Sequence, residues 1–489
     1  PTFSVVIDMP EGTALPETAN LTRAMAQKLQ SVPEVLSLQS YIGTAQPFDF
    51  NGLVRHYYMR EMPWNADIAI QLLDKRERER SSHEIASEIR TLLTPLSLKS
   101  HATLTVVEMP PGPPVLQTLV AEIHGPDAET RRQVARDMTK LFRSSPLVTD
   151  VDNFIRAPSD YWNFKVDIQK AARQGVSVTT INQHLAMAMG MFKVIDLKQP
   201  GVQEPTWITL LVPLEKRAEL SNLNNMPIST QDGRTIPLSE LGHFERLPRQ
   251  QMVFHKDLRA VEFVMGDTTG AYAAPIYAMF DIEERLKQYK TPDGVTLQPH
   301  YTTAPANDRQ SGFEWSGEWT VTFETFRDLG TAFIVALIAI YMLVVWQFGN
   351  FLIPAIIMAP IPLTLLGIIP GHWILGADFT ATSMIGWIAL AGIIVRNSIL
   401  LVDFTIHQVH QGEELIEAVI MAVKARTRPI LITALALVLG ASVIITDPIF
   451  QGMAISLLFG VFVSTLLTLF VIPLGCVSLG QKIFMESKE

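Results

Sequence analysis

Ile393-Ile394-Val395-Arg396-Asn397-Ser398-Ile399-Leu400 places a single arginine in the middle of an apolar run. From Phe379 to Val402, Arg396 is the only charged residue. A charge at the centre of a membrane-spanning helix costs roughly 2.5 kcal/mol or more on insertion scales, so such a residue faces a bundle interior and is answered by a partner. No acidic residue of the chain is an obvious partner at the same depth. The stretch points to an ion-coupled membrane protein whose answering charges lie outside this sequence.

The surrounding sequence extends the pattern. No Asp, Glu, Lys or Arg occurs from Thr331 to Ala377, and Asp447 is the only charge from Pro429 to Gln481. A span needs about 20 mostly apolar residues. Five stretches fit, at about 328–348, 351–371, 379–406, 428–446 and 450–478. The longest joint, 407–428, opens with Glu413, Glu414 and Glu417 and closes with Lys424, Arg426 and Arg428. Its polarity fits an amphipathic helix lying on the membrane surface. Lys424, Arg426, Arg428, Lys482 and Lys488 fall on one side if the spans alternate, and positive loops mark the cytoplasmic side. Residues 1–327 are then expected in the periplasm and the C-terminus in the cytoplasm. Pro354, Pro360, Pro362 and Pro370 break the helical ladder of the second span, as a plain kink or as a gating hinge.

Nearly all other charge lies in residues 1–328, which read as water-soluble. Net charge is −9 and no basic face suggests nucleic acid. One cysteine, Cys476, excludes a disulfide framework. The sequence opens on Pro1 with no leader, and an N-terminal part carrying an upstream span is expected. Residues 1–110 alternate as β-α-β-β-α-β, with strands at 3–9, 35–42, 66–73 and 101–109. Ser81 to Glu84 is a capping box. This order is a ferredoxin-like split βαβ. Met109 to Pro114 reads as a stiff linker. A second copy follows in two pieces: strand 116–124, helix 127–143 and strand 147–154, then strand 260–265, helix 273–289 and strand 295–301. Residues 156–258 are an α+β insert.

Two such repeats, one interrupted, followed by five spans resemble the C-terminal half of an RND (resistance–nodulation–division) efflux permease of the drug-exporter type. Lys165-Val166-Asp167-Ile168 with Ala171 to Ser177, Gly392 to Phe404, and Glu417 to Thr433 resemble that family's motifs in order. The fold class expected is an α+β periplasmic module followed by an all-α bundle of five transmembrane helices. The resemblance implies porter subdomains at 1–112 and at 113–155 with 259–305, and a docking subdomain at 156–258. It implies a connector at 306–327, spans 8 to 12 at 328–482, and a tail at 483–489. It also implies a bacterial inner-membrane protein, working as a homotrimer by proton/substrate antiport. Its partners would be the missing N-terminal half (spans 1–7, in cis or as a separate chain), a periplasmic adaptor protein, an outer-membrane channel and membrane lipid.

In that family a basic residue on the tenth span pairs with acidic residues on the fourth. Arg396 stands there, where drug exporters usually carry lysine. Arginine stays protonated, so Arg396 is expected to hold a charge that the absent carboxylates answer, rather than to carry the proton. A static ion pair that only fixes packing is the alternative. Asn397, Asp403, Arg426 and Thr433 match other polar positions of the relay. Thr433 equally fits a bond to its own backbone, Arg426 a positive-inside anchor, and Asp403 an interfacial carboxylate.

The substrate cleft is expected to use Gln39, Tyr41, Thr44, Phe48, Phe50, Tyr57 and Trp64, residues that fit a core equally well. The family's phenylalanine cluster is not reproduced. Met187, Met189 and Met191 read as packing rather than a copper site, and His124, His184 and His243 as isolated. No enzyme signature, cofactor or metal site is expected. The alternatives to efflux of amphiphilic or toxic small molecules are heavy-metal export, whose members carry an acidic residue in the tenth span, and a non-transporting scaffold.

Overall fold

A computed structural model describes residues 2–47, 49–74, 77–108, 115–190, 192–268, 274–447 and 449–486. The 109–114 linker reading, Phe48, Met191 and Lys488 fall outside the described residues.

Four strands open the chain: β1 Thr2–Asp8, β2 Val35–Ile42, β3 Asn65–Leu72 and β4 Thr103–Glu108. They pair antiparallel in the order β2-β3-β1-β4. Alternation sends Val5, Ile7, Ile68 and Ile70 to one side, where helices Leu15–Leu29 and Ser82–Lys99 supply Met25, Leu29, Ile85, Ile89 and Leu93. Each such buried side chain contributes about 1.5–3 kcal/mol. The second helix starts where the sequence said. The Ser81 hydroxyl accepts the Glu84 amide, and the Glu84 carboxylate accepts the Ser81 amide at 2.7 Å.

The second sheet departs from the sequence reading. Strand Leu119–His124 is flanked by Arg259–Thr268 on one side and by Gly312–Gly317 on the other. The stretch 295–301, read as the closing strand, contributes only a two-residue parallel bridge, Pro299–His300. Gly312–Gly317 lies in what was read as connector. Phe313 and Trp315, both fully buried, point from it toward helix Ala128–Ser144, where Trp315 stacks on Phe142. Burying two large aromatics outweighs what 295–301 offers, since its alternation, Val295 and Leu297, is cut short by Pro299. Residues Phe254–Lys256, assigned above to the insert, pair with Arg259–Thr268 and belong to this sheet. Gly317, at φ +80, turns the strand directly into the first span at Glu318.

Residues 155–252 form a compact unit of their own. Strand Asp160–Val166 pairs with Gly242–Pro248, and a core of Ala171, Val176, Ile181, Ile228, Leu238 and Leu241 lies beside them. Helix Val178–Met189 is capped by the Ser177 hydroxyl. Gln231 to Arg234 turns a short hairpin, with Gly233 at φ +83.

Five helices are long and apolar enough to cross a membrane: Glu318–Phe348, Leu352–Ile374, Ala381–His410, Leu415–Val443 and Gln451–Leu479. The fourth corrects an expectation. The predicted surface helix over 407–428 does not stand apart: residues from Leu415 run unbroken through Pro429 into the span. Leu415, Ala418, Val419 and Ala422 give this part a buried stripe at helical spacing, which keeps it on the bundle. The second span is broken at its prolines into Leu352–Met358, Pro360–Leu363 and Leu365–Ile374. Thr364 and Trp387 donate to the Ile361 carbonyl at the break. Helices meet closely at glycines. A Cβ on Gly371 would lie 2.4 Å from Phe459 Cγ, and one on Gly460 2.4 Å from Leu390.

Candidate functional site

The third span, Ala381–His410, is opened by a capping box between Thr380 and Ser383. Its apolar residues do not ring it evenly. Ser383, Gly386, Leu390, Ile394, Ser398, Leu401, Thr405 and Val409 form a buried stripe, and its upper part packs on the fifth span. The opposite stripe, Ile385, Ala389, Gly392, Arg396, Leu400, Asp403 and His407, is exposed in this chain. Arg396 therefore stands on the face that its own bundle leaves uncovered, and among the described residues it makes no hydrogen bond or ion pair. A Cβ on Gly392 meets nothing within 4 Å. Asp403 shares the face, but seven residues at 1.5 Å each put it about 10 Å along the axis, too far to pair.

The other expected relay residues are not gathered around Arg396. Asn397 is half-buried beside it in sequence. Arg426 lies on the fourth helix with its guanidinium 5.6 Å from the Phe404 ring centre, a cation–π contact, and its buried Nε has no hydrogen-bond partner. Thr433 donates to the Pro429 carbonyl of its own helix at 2.5 Å. Among the described residues no hydrogen bond or ion pair joins any two of these five.

Sequence reasoning missed His372 of the second span, which is buried and bridges to the third. One ring nitrogen lies 2.9 Å from the Ile368 carbonyl and the other 2.8 Å from the Ser383 hydroxyl. The neutral ring satisfies both by donating to the carbonyl and accepting from the hydroxyl. The signal was available: a histidine within an apolar run.

The expected cleft residues are spread along one edge of the first sheet. Gln39 and Tyr41 share a face of β2, and the Tyr41 hydroxyl donates to Gln39 Oε1 at 2.9 Å. Thr44 is exposed in the following turn, and Phe50 is 68% exposed. Trp64 is half-buried, its carbonyl accepting the Met9 amide at 2.9 Å. Tyr57 lines a recess of about 20 Å³ with Ser4, Gln46 and Asp49, enough for one water. Burial pushes the Tyr57 phenol up against the pull of Arg55 and Arg60. The excursion from residue 43 to 64 is fastened to the sheet by Arg60. It pairs with Asp8 at 2.7 Å and Asp67 at 3.0 Å and donates to the Ile7 carbonyl at 2.9 Å.

His124, read as isolated, is not: it stands with Glu122 and Glu314, their ligand atoms all within 4.8 Å of one another. Glu122-x-His124 on a strand puts both on one face, a signal present in the sequence. The third member comes from Gly312–Gly317, the strand the reading missed.

Comparison with known proteins bears on the whole chain. The family model of the AcrB/AcrD/AcrF family matches residues 2–477. Among curated relatives, the swarming motility protein SwrC of Bacillus subtilis is 23% identical over 359 residues, 72% of this chain and 32% of SwrC. The multidrug resistance protein MdtC of Erwinia amylovora is 24% identical over 348 residues, 70% of this chain and 32% of MdtC. The chain spans about a third of the length of these relatives. A solved heavy metal efflux pump superposes with a TM-score of 0.74 at 18% identity, over 96% of this chain and 46% of the pump. With the family model covering almost its full length and the same fold in a solved pump, this chain belongs to the AcrB/AcrD/AcrF family of RND permeases.

Proposed function

We propose that this chain forms part of a proton-driven efflux permease of the bacterial inner membrane that exports amphiphilic or toxic small molecules. The observation that carries the reading is Arg396, the only charge from Phe379 to Val402, on a face of its helix that its own bundle leaves open. A cation at that depth is stable only when anions or water answer it. Ala389 and Gly392 on the same face let another helix come close. Carboxylates on that helix, from the segment that in the family carries spans 1–7, would take up and release the proton. Arg396 would hold them ionised until a proton arrives, then lose its hold. Asn397, Asp403, Arg426 and Thr433 complete the proposed relay as polar neighbours. Drug-type substrates are favoured by the relatives named for multidrug resistance.

In this reading residues 1–327 lie in the periplasm and the C-terminus in the cytoplasm. Residues 1–112 form one porter subdomain, and 113–154 with 253–317 form the other, so that strands Phe254–Lys256 and Gly312–Gly317 stay with their sheet. Residues 155–252 face an outer-membrane channel, and three copies work with a periplasmic adaptor protein. The substrate cleft uses Gln39, Tyr41, Thr44, Phe48, Phe50, Tyr57 and Trp64. The test is proton-driven efflux by the intact permease in vesicles. Arg396→Met is expected to lower it at least tenfold, with normal membrane levels, and Arg396→Lys to retain part of it. Wild-type efflux by R396M would end the proposal.

A further inference from the structure

Glu122 and Glu314 lie directly opposite each other on neighbouring antiparallel strands. Like charges so placed destabilise a sheet. Here the penalty is larger, because Glu122 is only 4% exposed and His124, on the same face, 2%. Ala121, Ile123, Phe313 and Trp315 alternate with them and point to the helices, so the charged residues occupy the other face. Lys256 donates to both Glu122 oxygens at 2.9 and 2.7 Å, and Arg259 pairs with Asp308. Neither nitrogen of the His124 ring has a hydrogen-bond partner, and its Nδ1 lies 3.8 Å from the Asp308 carboxylate.

A buried imidazole with both nitrogens orphaned carries a desolvation penalty for each unmade bond. Burial first, and then Arg259, push the His124 imidazole down. Four carboxylates meet here, Glu122, Glu314, Asp308 and Asp257, against the three cations Lys256, Arg259 and Arg131. Burial, and then the facing Glu122, push the Glu314 carboxyl up against the pull of Lys256.

The structure assigns to Glu122, His124 and Glu314 a binding site for a first-row divalent transition-metal ion of the zinc class. One imidazole and two carboxylates are a donor set such an ion takes, whereas magnesium and calcium take oxygen alone. Bonds of about 2.0 Å require ligand atoms roughly 3.3 Å apart, so the three side chains close slightly around the ion. Lys256, at the end of a flexible stem with its side chain 43% exposed, swings out to water as the ion takes its place on Glu122. Bound metal would tie Gly312–Gly317, which leads into the first span, to the centre of its sheet. This inference does not depend on the transport reading, because binding is measured without any gradient.

The test uses the full chain, detergent-solubilised and carrying no polyhistidine tag, titrated with cobalt(II) chloride. The visible absorption of low-coordinate cobalt is expected to rise to one equivalent and to be abolished by zinc chloride. H124Q and E314Q should weaken binding by more than about 100-fold, since even outer-shell partners are worth 10–100-fold. K256M, which removes the competing ammonium, should bind at least tenfold more tightly. Tryptophan fluorescence, through Trp315 behind the sheet, checks that each variant is folded. No saturable cobalt spectrum in the wild type overturns the site. So does unchanged affinity in folded H124Q or E314Q, or in K256M.

Discussion

Arg60 shows at the residue scale how a charge is kept inside the soluble part. Two carboxylates, Asp8 and Asp67, and two carbonyls surround its guanidinium, and Asp67 is fully buried. Removing one partner of a buried ion pair costs about 3–5 kcal/mol, because the remaining charge is stranded. Arg60→Met is therefore expected to lose about that much, with faster hydrogen exchange across residues 43–72. Exchange unchanged from wild type would show that the pairs are weak. This network is invisible to local pattern, since Asp67 and Asp8 are 7 and 52 residues from Arg60 and only the sheet joins them. Arg396 is the reverse case. Its place on a helix was legible from the apolar run alone. Which way it faces depends on the packing of the third span against the fifth, and that periodicity alone does not fix.

At the scale of elements, the capping boxes, the strands of the first sheet and the five apolar helices follow from local sequence. The errors arose where tertiary packing overrides local pattern. Gly312-Phe313-Glu314-Trp315-Ser316-Gly317 is a clean alternation, but it abuts the first span and was read as a connector. Trp315→Ala should cost about 3–5 kcal/mol in denaturant unfolding, by deleting a fully buried indole stacked on Phe142. A loss below about 1 kcal/mol would mean that this strand is not part of the core. Gly317 joins sheet to span at φ +80, with the Gln117 carbonyl 2.6 Å from where a Cβ would be. Gly317→Val is expected to lower thermal stability clearly more than Gly330→Val, since a Cβ on Gly330 in the first span would meet only the flexible end of Met384, at 3.8 Å. Equal shifts in melting temperature would contradict the strained junction. The 407–428 helix was mislabelled for a related reason. Its charges suggested a surface position, while its Leu415, Ala418, Val419 and Ala422 stripe holds it to the bundle.

For the whole molecule, the membrane bundle is held together on one side and open on another. Gly367, Gly371 and Gly460 bring the second, third and fifth spans into close contact. Gly371→Val, driven into Phe459, should cost about 1–3 kcal/mol and lower the melting temperature of the solubilised chain. An unchanged melting temperature would show those spans to be loosely packed. Among the open faces is the one on the third span that carries Arg396, and carboxylates from outside this chain are proposed to close on it. The most direct measurement is the distance from the Arg396 guanidinium to the nearest carboxylate oxygen in a density map of the assembled permease. An ion pair is expected there, within about 4 Å, with an acidic side chain on an adjoining span. A guanidinium turned to lipid headgroups or bulk water, with no carboxylate within about 6 Å, would contradict it.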